Sequence, residues 1–180
     1  MRLVTLLFAL LLHAAAWAQD VLPVPPLSGR VIDQTATLSE PQRAALDAKL
    51  AAFEAQAGPQ IVVLTVASTG IEDIADYAQR AGDAWKIGRK DVGDGLLVVV
   101  ARDDRKLRIQ VAKALEGAVP DLAARQIIAN QISPAFKRGD YAAGLNAGVD
   151  ALMARIRGEN LPAPTGQGGG RPDAGFDWEE

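Results

Sequence analysis

Gly95-Leu96-Leu97-Val98-Val99-Val100-Ala101, then Arg102-Asp103-Asp104-Arg105, then Lys106-Leu107-Arg108-Ile109-Gln110-Val111-Ala112: this stretch decides the fold class. The first run is apolar throughout, as in a strand covered on both faces. The last alternates, with Leu107, Ile109 and Val111 on one side and Lys106, Arg108 and Gln110 on the other, as in a strand with one wetter face. The four charged residues between them suit a tight hairpin tip. A fully buried strand inside such a hairpin requires layers above and below it.

Those layers lie on either side in sequence. Gln60 to Ala67 is rich in β-branched residues and predicts a second buried strand. Between the two buried strands, Thr69 and Glu72 fit a capping box, and Ile71, Ile74, Ala78, Gly82 and Trp85 recur at helical spacing. Trp85 reads as a core anchor whose indole N–H needs a partner. Strand, helix and strand in this order predict parallel strands with a right-handed crossover. Further upstream, Ser39 and Gln42 form another capping box with Pro41 in the first turn, and Leu46, Leu50 and Phe53 share one helix face. Gly58-Pro59 ends that helix, and Val31-Ile32-Asp33 forms a short apolar stretch before it. Downstream, Pro120 opens a helix carrying Leu122, Ile127, Ile128 and Ile132, which Pro134 interrupts. A last helix from about Asp140 aligns Leu145, Val149, Leu152 and Ile156. The expected fold is α/β, a three-layer α/β/α sandwich with a small mixed sheet, over residues 31–158.

The ends of the chain read differently. Arg2, the apolar run Leu3–Leu12 and Ala16-Trp17-Ala18 have the layout of a signal peptide, residues 1–18, removed before Gln19. Residues 19–30, with Pro23, Pro25 and Pro26, form an extended lead-in. Residues 159–180, rich in Gly and Pro, read as a flexible tail.

Composition excludes whole classes of chemistry. The chain has no Cys and one His, and that His13 lies in the predicted signal peptide. Thiol catalysis, Ser-His-Asp catalysis and ordinary zinc sites are therefore out of reach. Losing Arg2 takes the balance from 19 basic and 22 acidic residues to 18 and 22, which argues against nucleic acid as a partner. No phosphate-loop pattern and no organic-cofactor motif occurs, and Asp91-Val92-Gly93-Asp94-Gly95 lacks the alternating ligands of an EF-hand, reading instead as a solvated turn. Asp33, Asp94, Asp103, Asp104, Glu116 and Asp121 all fall at element ends or in loops. Each also suits a turn or a helix start, and sequence cannot show whether they converge. Arg105 and Arg108 are candidates for binding an anion, or the outward face of a strand.

Several of these stretches, taken in order, resemble one family. Val31-Ile32-Asp33 with Leu38-Ser39, Trp85-Lys86-Ile87-Gly88, Gly93-Asp94-Gly95-Leu96-Leu97-Val98, Asp104-Arg105 with Arg108, Leu115-Glu116-Gly117-Ala118-Val119-Pro120-Asp121, Pro134-Ala135-Phe136 and Gly139-Asp140-Tyr141 are similar to the TPM domain. That family includes a plant thylakoid-lumen phosphatase, a photosystem II repair factor and the bacterial YgcG-like proteins. One departure is Ala112-Lys113-Ala114, where the family commonly carries Gly-Tyr-Gly. The resemblance implies an α/β/α sandwich, with acid phosphatase activity or calcium binding in some members and no function shared by all.

Three functions are therefore expected in competition. The first is an exported, monomeric accessory domain that binds a divalent cation, Ca²⁺ ahead of Mg²⁺ or Mn²⁺, and serves envelope or membrane proteins. The second is a metal-dependent phosphomonoester hydrolase, and the third a scaffold without metal. Oxygen ligands are all the mature chain offers a hard cation. Asp33, Asp104, Glu116 and Asp121, which lie in the family-matching motifs, are the expected ligands, with Asp94 as a fifth. The location implied is periplasmic or secreted, or membrane-anchored if the chain continues beyond Glu180.

Overall fold

The structure, a computed structural model, describes residues 21–158 and 176–178. The predicted signal peptide and most of the predicted tail lie outside the described residues. Among the described residues, five strands form one mixed sheet in sequential order: β1 (Val31–Asp33), β2 (Gln60–Val66), β3 (Gly95–Ala101), β4 (Lys106–Val111) and β5 (Phe176–Asp177). β1, β2 and β3 are parallel, while β4 runs antiparallel to β3 and β5 antiparallel to β4. The α/β sandwich expected from the hairpin is the fold observed.

Alternation along β2 and β3 divides the core in two. Ile61 and Val63 of β2, with Leu96, Val98 and Val100 of β3, face Leu46, Leu50 and Phe53 of α1 (Glu40–Ala57). The same face packs against the C-terminal helices α3 (Asp121–Ile127), α4 (Ser133–Phe136) and α5 (Tyr141–Ile156). Val62, Leu64 and Val66, with Leu97, Val99 and Ala101, face Ile74, Tyr77, Ala78 and Ala81 of α2 (Ile74–Trp85). Both central strands are thus covered twice, which is why neither shows a polar position from Ile61 to Leu64 or from Leu96 to Ala101.

The two helical crossovers have opposite hands. β1 to β2 and β2 to β3 step the same way across the sheet, yet α1 and α2 lie on opposite faces. Val63 points its side chain to the α1 face and donates its N–H to Arg30 O, toward β1. Val66 points to the α2 face, and its carbonyl accepts from Arg102 beyond β3. For L-residues this places β1 to the right of β2 when viewed from α1, and β3 to the right of β2 when viewed from α2. The crossover through α2 is therefore right-handed, as expected, and the one through α1 is left-handed, against the strong general preference.

Several local readings change. α1 starts as predicted, with Ser39 N–H donating to Gln42 Oε1 at 2.9 Å. α2 does not start at Thr69. Its cap is Asp73, whose carboxylate accepts from Ala75 N–H, while the Thr69 hydroxyl donates to the Glu72 carbonyl and closes a turn. Ile71 consequently falls before the helix and is 64% exposed. Leu122, expected in the core, is 68% exposed, and Ala123 and Ala124 take the inward positions. Between α3 and α4 the chain makes a π-helical turn, Ile128–Ile132. Pro134 stands two residues beyond it, in the first turn of α4. It has no N–H to donate and its ring crowds the preceding turn, so widening that turn is the local solution.

The extended lead-in lies against α2. Trp85 Nε1 donates to Pro25 O at 2.8 Å and Arg80 donates to Leu22 O at 2.7 Å. The indole N–H thus finds the partner it needs. The end of the predicted tail is also part of the fold: Phe176–Asp177 pairs with β4, and Trp178 is buried. Nothing in its Gly- and Pro-rich approach signals that return. Among the described residues no helix is long and apolar enough to cross a membrane.

Candidate functional site at the carboxyl end of the sheet

Opposite crossover hands have a local effect. After Asp33 the chain leaves toward α1, and after Val66 it leaves toward α2. Adjacent parallel strands whose exits diverge in this way part their loops outside the carboxyl end of the sheet, where open α/β sheets usually bind ligands. In register, Asp33 and Thr65 are neighbours at this point.

Asp33 organises the first loop. Its Oδ1 accepts from Thr35 N–H at 3.0 Å and Thr35 Oγ1 at 2.8 Å, and its Oδ2 accepts from Leu38 N–H at 2.7 Å. A carboxylate accepting from two main-chain donors fixes the turn that leads into α1. Asp104, at the β3–β4 hairpin, reaches across to the second loop, where its Oδ2 accepts from Thr69 N–H at 2.8 Å. Arg102 bridges toward the first loop, donating to Thr35 O at 3.1 Å and to Asp103 Oδ1 at 2.9 Å. The Asp103 hydrogen bond leads in raising the Arg102 pKa above its ordinary value, with smaller electrostatic contributions from Tyr141 and Asp33. Three loops are thereby tied together around a cation flanked by carboxylates. Arg105 belongs to the same hairpin tip, with φ +56°, and Arg108 lies on β4 with its Nε buried.

The other expected ligands lie elsewhere. Asp94 precedes β3, at the opposite end of the sheet, and is 2% exposed. Its carboxylate accepts from Arg89 N–H and Arg89 Nε, both at 2.8 Å, with a further guanidinium contact at 2.5 Å. Burial pushes the Asp94 carboxyl up, and the hydrogen bonds from the Arg89 side chain and backbone outweigh it, leaving the group below its ordinary value. Asp91–Gly93 form the exposed turn expected here, while Asp94 itself is buried and pins the loop. Gly88 and Gly95 touch within it: a Cβ on Gly95 would stand 2.3 Å from Ile87 O. Glu116 follows the 3₁₀ turn Lys113–Leu115, beyond the end of β4, where Ala112 N–H donates to Gly95 O. Glu116 and Asp121, which opens α3, are exposed at that same amino end. The structure thus brings together Asp33, Asp103 and Asp104 at one end of the sheet and leaves Asp94, Glu116 and Asp121 at the other. Among the described residues, no three acidic side chains are grouped so as to hold a metal ion.

Sequence reasoning missed Arg102, Thr35, Thr69 and Tyr141 at the carboxyl end. The signal for Thr35 and Thr69 was weak but present: each is a hydroxyl residue just past a strand, which suits side-chain-to-backbone turns.

Comparison with known proteins agrees with this architecture. The family model described as the TPM domain matches residues 31–155. The chain belongs to the TPM-domain family. The solution structure of the N-terminal domain of a P. gingivalis protein is similar at 31% identity, over 75% of this chain and 89% of that one, with a TM-score of 0.68. An N-terminal domain from Corynebacterium glutamicum shares the fold at 20% identity, over 84% and 97% of the two chains, with a TM-score of 0.57. A protein of the psychrophilic bacterium Bizionia argentinensis does so at 22% identity, over 69% and 91%, with a TM-score of 0.60. None of the curated proteins matches.

Proposed function

We propose that this TPM domain is an exported accessory module that serves envelope or membrane proteins through the carboxyl end of its sheet. The observation that carries the reading is the joining of three loops there by Asp33, Arg102 and Asp104. Loops held on a rigid sheet by their own side chains form a preorganised surface, which lowers the ordering cost of binding. The carboxylates that build it act as acceptors for main-chain and hydroxyl donors, a structural use.

The finer reading, a hard cation, draws on the same edge. Asp33 and Asp104 are the two of the five expected ligands that lie there. Ca²⁺ takes six to eight oxygens, so main-chain carbonyls and water complete the set, and Arg102 nearby opposes the ion. Binding in the range of about 10⁻⁴ to 10⁻³ M follows, the class of weak extracellular sites. Calorimetry on the full chain tests this. Asp104→Asn is expected to weaken Ca²⁺ binding about tenfold or more, whereas Glu116→Gln and Asp121→Asn leave it unchanged. No heat at 10 mM Ca²⁺, or sensitivity to Glu116→Gln instead, overturns the assignment to this edge.

A further inference from the structure

The return of the chain to β4 has features of a ligand in a site. Among the described residues, β5 pairs with two of the six β4 residues, Leu107 with Phe176 and Lys106 with Asp177. Two pairs alone form a marginal strand. The contact is anchored instead by the next residue, Trp178, which is 2% exposed. Its ring meets Phe136 edge-on at 5.3 Å and 88°, and Tyr141 at 6.4 Å and 85°. Phe136 and Tyr141 contact each other at 4.8 Å, so the two rings form one aromatic wall, supplied by α4 and α5. Trp178 N–H donates to Arg105 O at 3.2 Å, where the left-handed backbone of Arg105 turns the hairpin. Charge agrees in sequence: the segment reads Phe-Asp-Trp-Glu-Glu, and the hairpin it meets carries Arg102, Arg105, Lys106 and Arg108 against Asp103 and Asp104, a net positive balance.

Main-chain pairing to a sheet edge with one side chain in a pocket is how extended peptides are recognised by strand addition. We propose that the outer edge of β4, with the wall of Phe136 and Tyr141, is a docking groove for an extended acidic protein segment carrying a tryptophan. The chain's own Phe176–Trp178 is its resident occupant, and a partner segment of the same chemistry displaces it. The groove stands on packing and pairing alone and does not rest on the cation reading.

The test uses the full chain and a fluorescein-labelled peptide of residues 174–180, Ala-Gly-Phe-Asp-Trp-Glu-Glu. Trp178→Ala removes the resident anchor, so the competent fraction rises, and the variant is expected to bind the peptide at least about tenfold more tightly than the unaltered chain in fluorescence anisotropy. A peptide with Ala in place of Trp is expected to lose at least about tenfold in the same assay. Equal binding by both chains, or no binding by a folded Trp178→Ala chain, overturns the proposal. A dimer that depends on Trp178 in sedimentation also overturns it, by assigning the groove to a second copy. If circular dichroism shows Trp178→Ala unfolded, hydrogen exchange on the unaltered chain decides. The Trp178 amide is then expected to exchange at least about a hundredfold faster than β2 and β3 amides, through local release. Equal protection means the segment opens only with the whole fold, and the proposal fails.

Discussion

At Asp94 a carboxylate between two glycines is carried into the protein and bound by one residue, Arg89, through both its backbone and its side chain. The ion pair holds the Asp94 pKa below its unfolded value of about 3.9. Such a depressed group stabilises the fold fully above about pH 4 and ceases to do so as pH falls through the lower, folded value. Asp94→Asn is therefore expected to cost about 2 kcal/mol in urea unfolding at pH 7, the scale of a hydrogen bond to a charged group. Because Asn does not titrate, its deficit relative to the unaltered chain should shrink below pH 4. A deficit constant from pH 7 to pH 3 contradicts the assignment. Single residues were legible in sequence where local chemistry decides them. Gln42 caps Ser39, and Trp85 anchors with its N–H satisfied. Asp94 was not, because burial depends on Gly88 and Gly95 passing within contact, a long-range fact that Gly-Asp-Gly also permits a solvated turn to hide.

Among the elements, two helical glycines make opposite predictions from the same substitution. Gly144 on α5 lies against α4 and the π-helical turn. A Cβ there would stand 2.6 Å from the Phe136 ring and 3.0 Å from Ile132 O. Gly144→Ala forces these apart and is expected to destabilise by about 1–3 kcal/mol. Gly82 on α2 has nothing within 4 Å of such a Cβ. Gly82→Ala should stabilise by about 0.5–1 kcal/mol through helix propensity and a less mobile unfolded chain. Thermal unfolding of both variants checks the pair, and shifts of the same sign would contradict the helix contact. The elements themselves could be read from pattern because α1, α5 and β4 each bury one consistent side, and β3 is apolar throughout because it is buried on both. The start of α2 was misplaced because Thr69 and Asp73 both offer a cap, and only the tertiary partner Asp104 commits Thr69 to a turn. Leu122 was misassigned for a related reason: the small Ala123 and Ala124 let the helix approach closely where a leucine would not.

At the scale of the molecule, sheet order and layering followed from the order of the elements, since strand–helix–strand units and one hairpin leave few arrangements. The distribution of the carboxylates did not. Asp33 and Asp104 end up at one end of the sheet and Glu116 and Asp121 at the other because β4 reverses direction, so residues after Val111 return to the amino ends of the parallel strands. Phosphate-ester hydrolysis by the purified full chain is expected to stay well under about one turnover per second, given that Asp33 and Asp104 act as acceptors for loop N–H and hydroxyl donors. Faster turnover abolished by Asp104→Ala would transfer the domain to the hydrolases.

The left-handed passage through α1 also bears on the order in which the chain folds. β2, α2, β3 and β4 form a continuous unit with a right-handed crossover and a local hairpin, and they can assemble from contacts close in sequence. β1 pairs over three residues on the outside of that unit, and its connection runs in the less favoured sense. Such an element has little to hold it until its neighbour exists. Conservative truncations in the hairpin, such as Ile109→Val, are then expected to slow folding with φ above about 0.5, while Leu50→Ala in α1 mainly speeds unfolding with φ below about 0.3. In kinetic terms the N-terminal strand is expected to be the last to arrive and the first to leave, with the Asp33 loop taking its shape only once the rest of the sheet is in place.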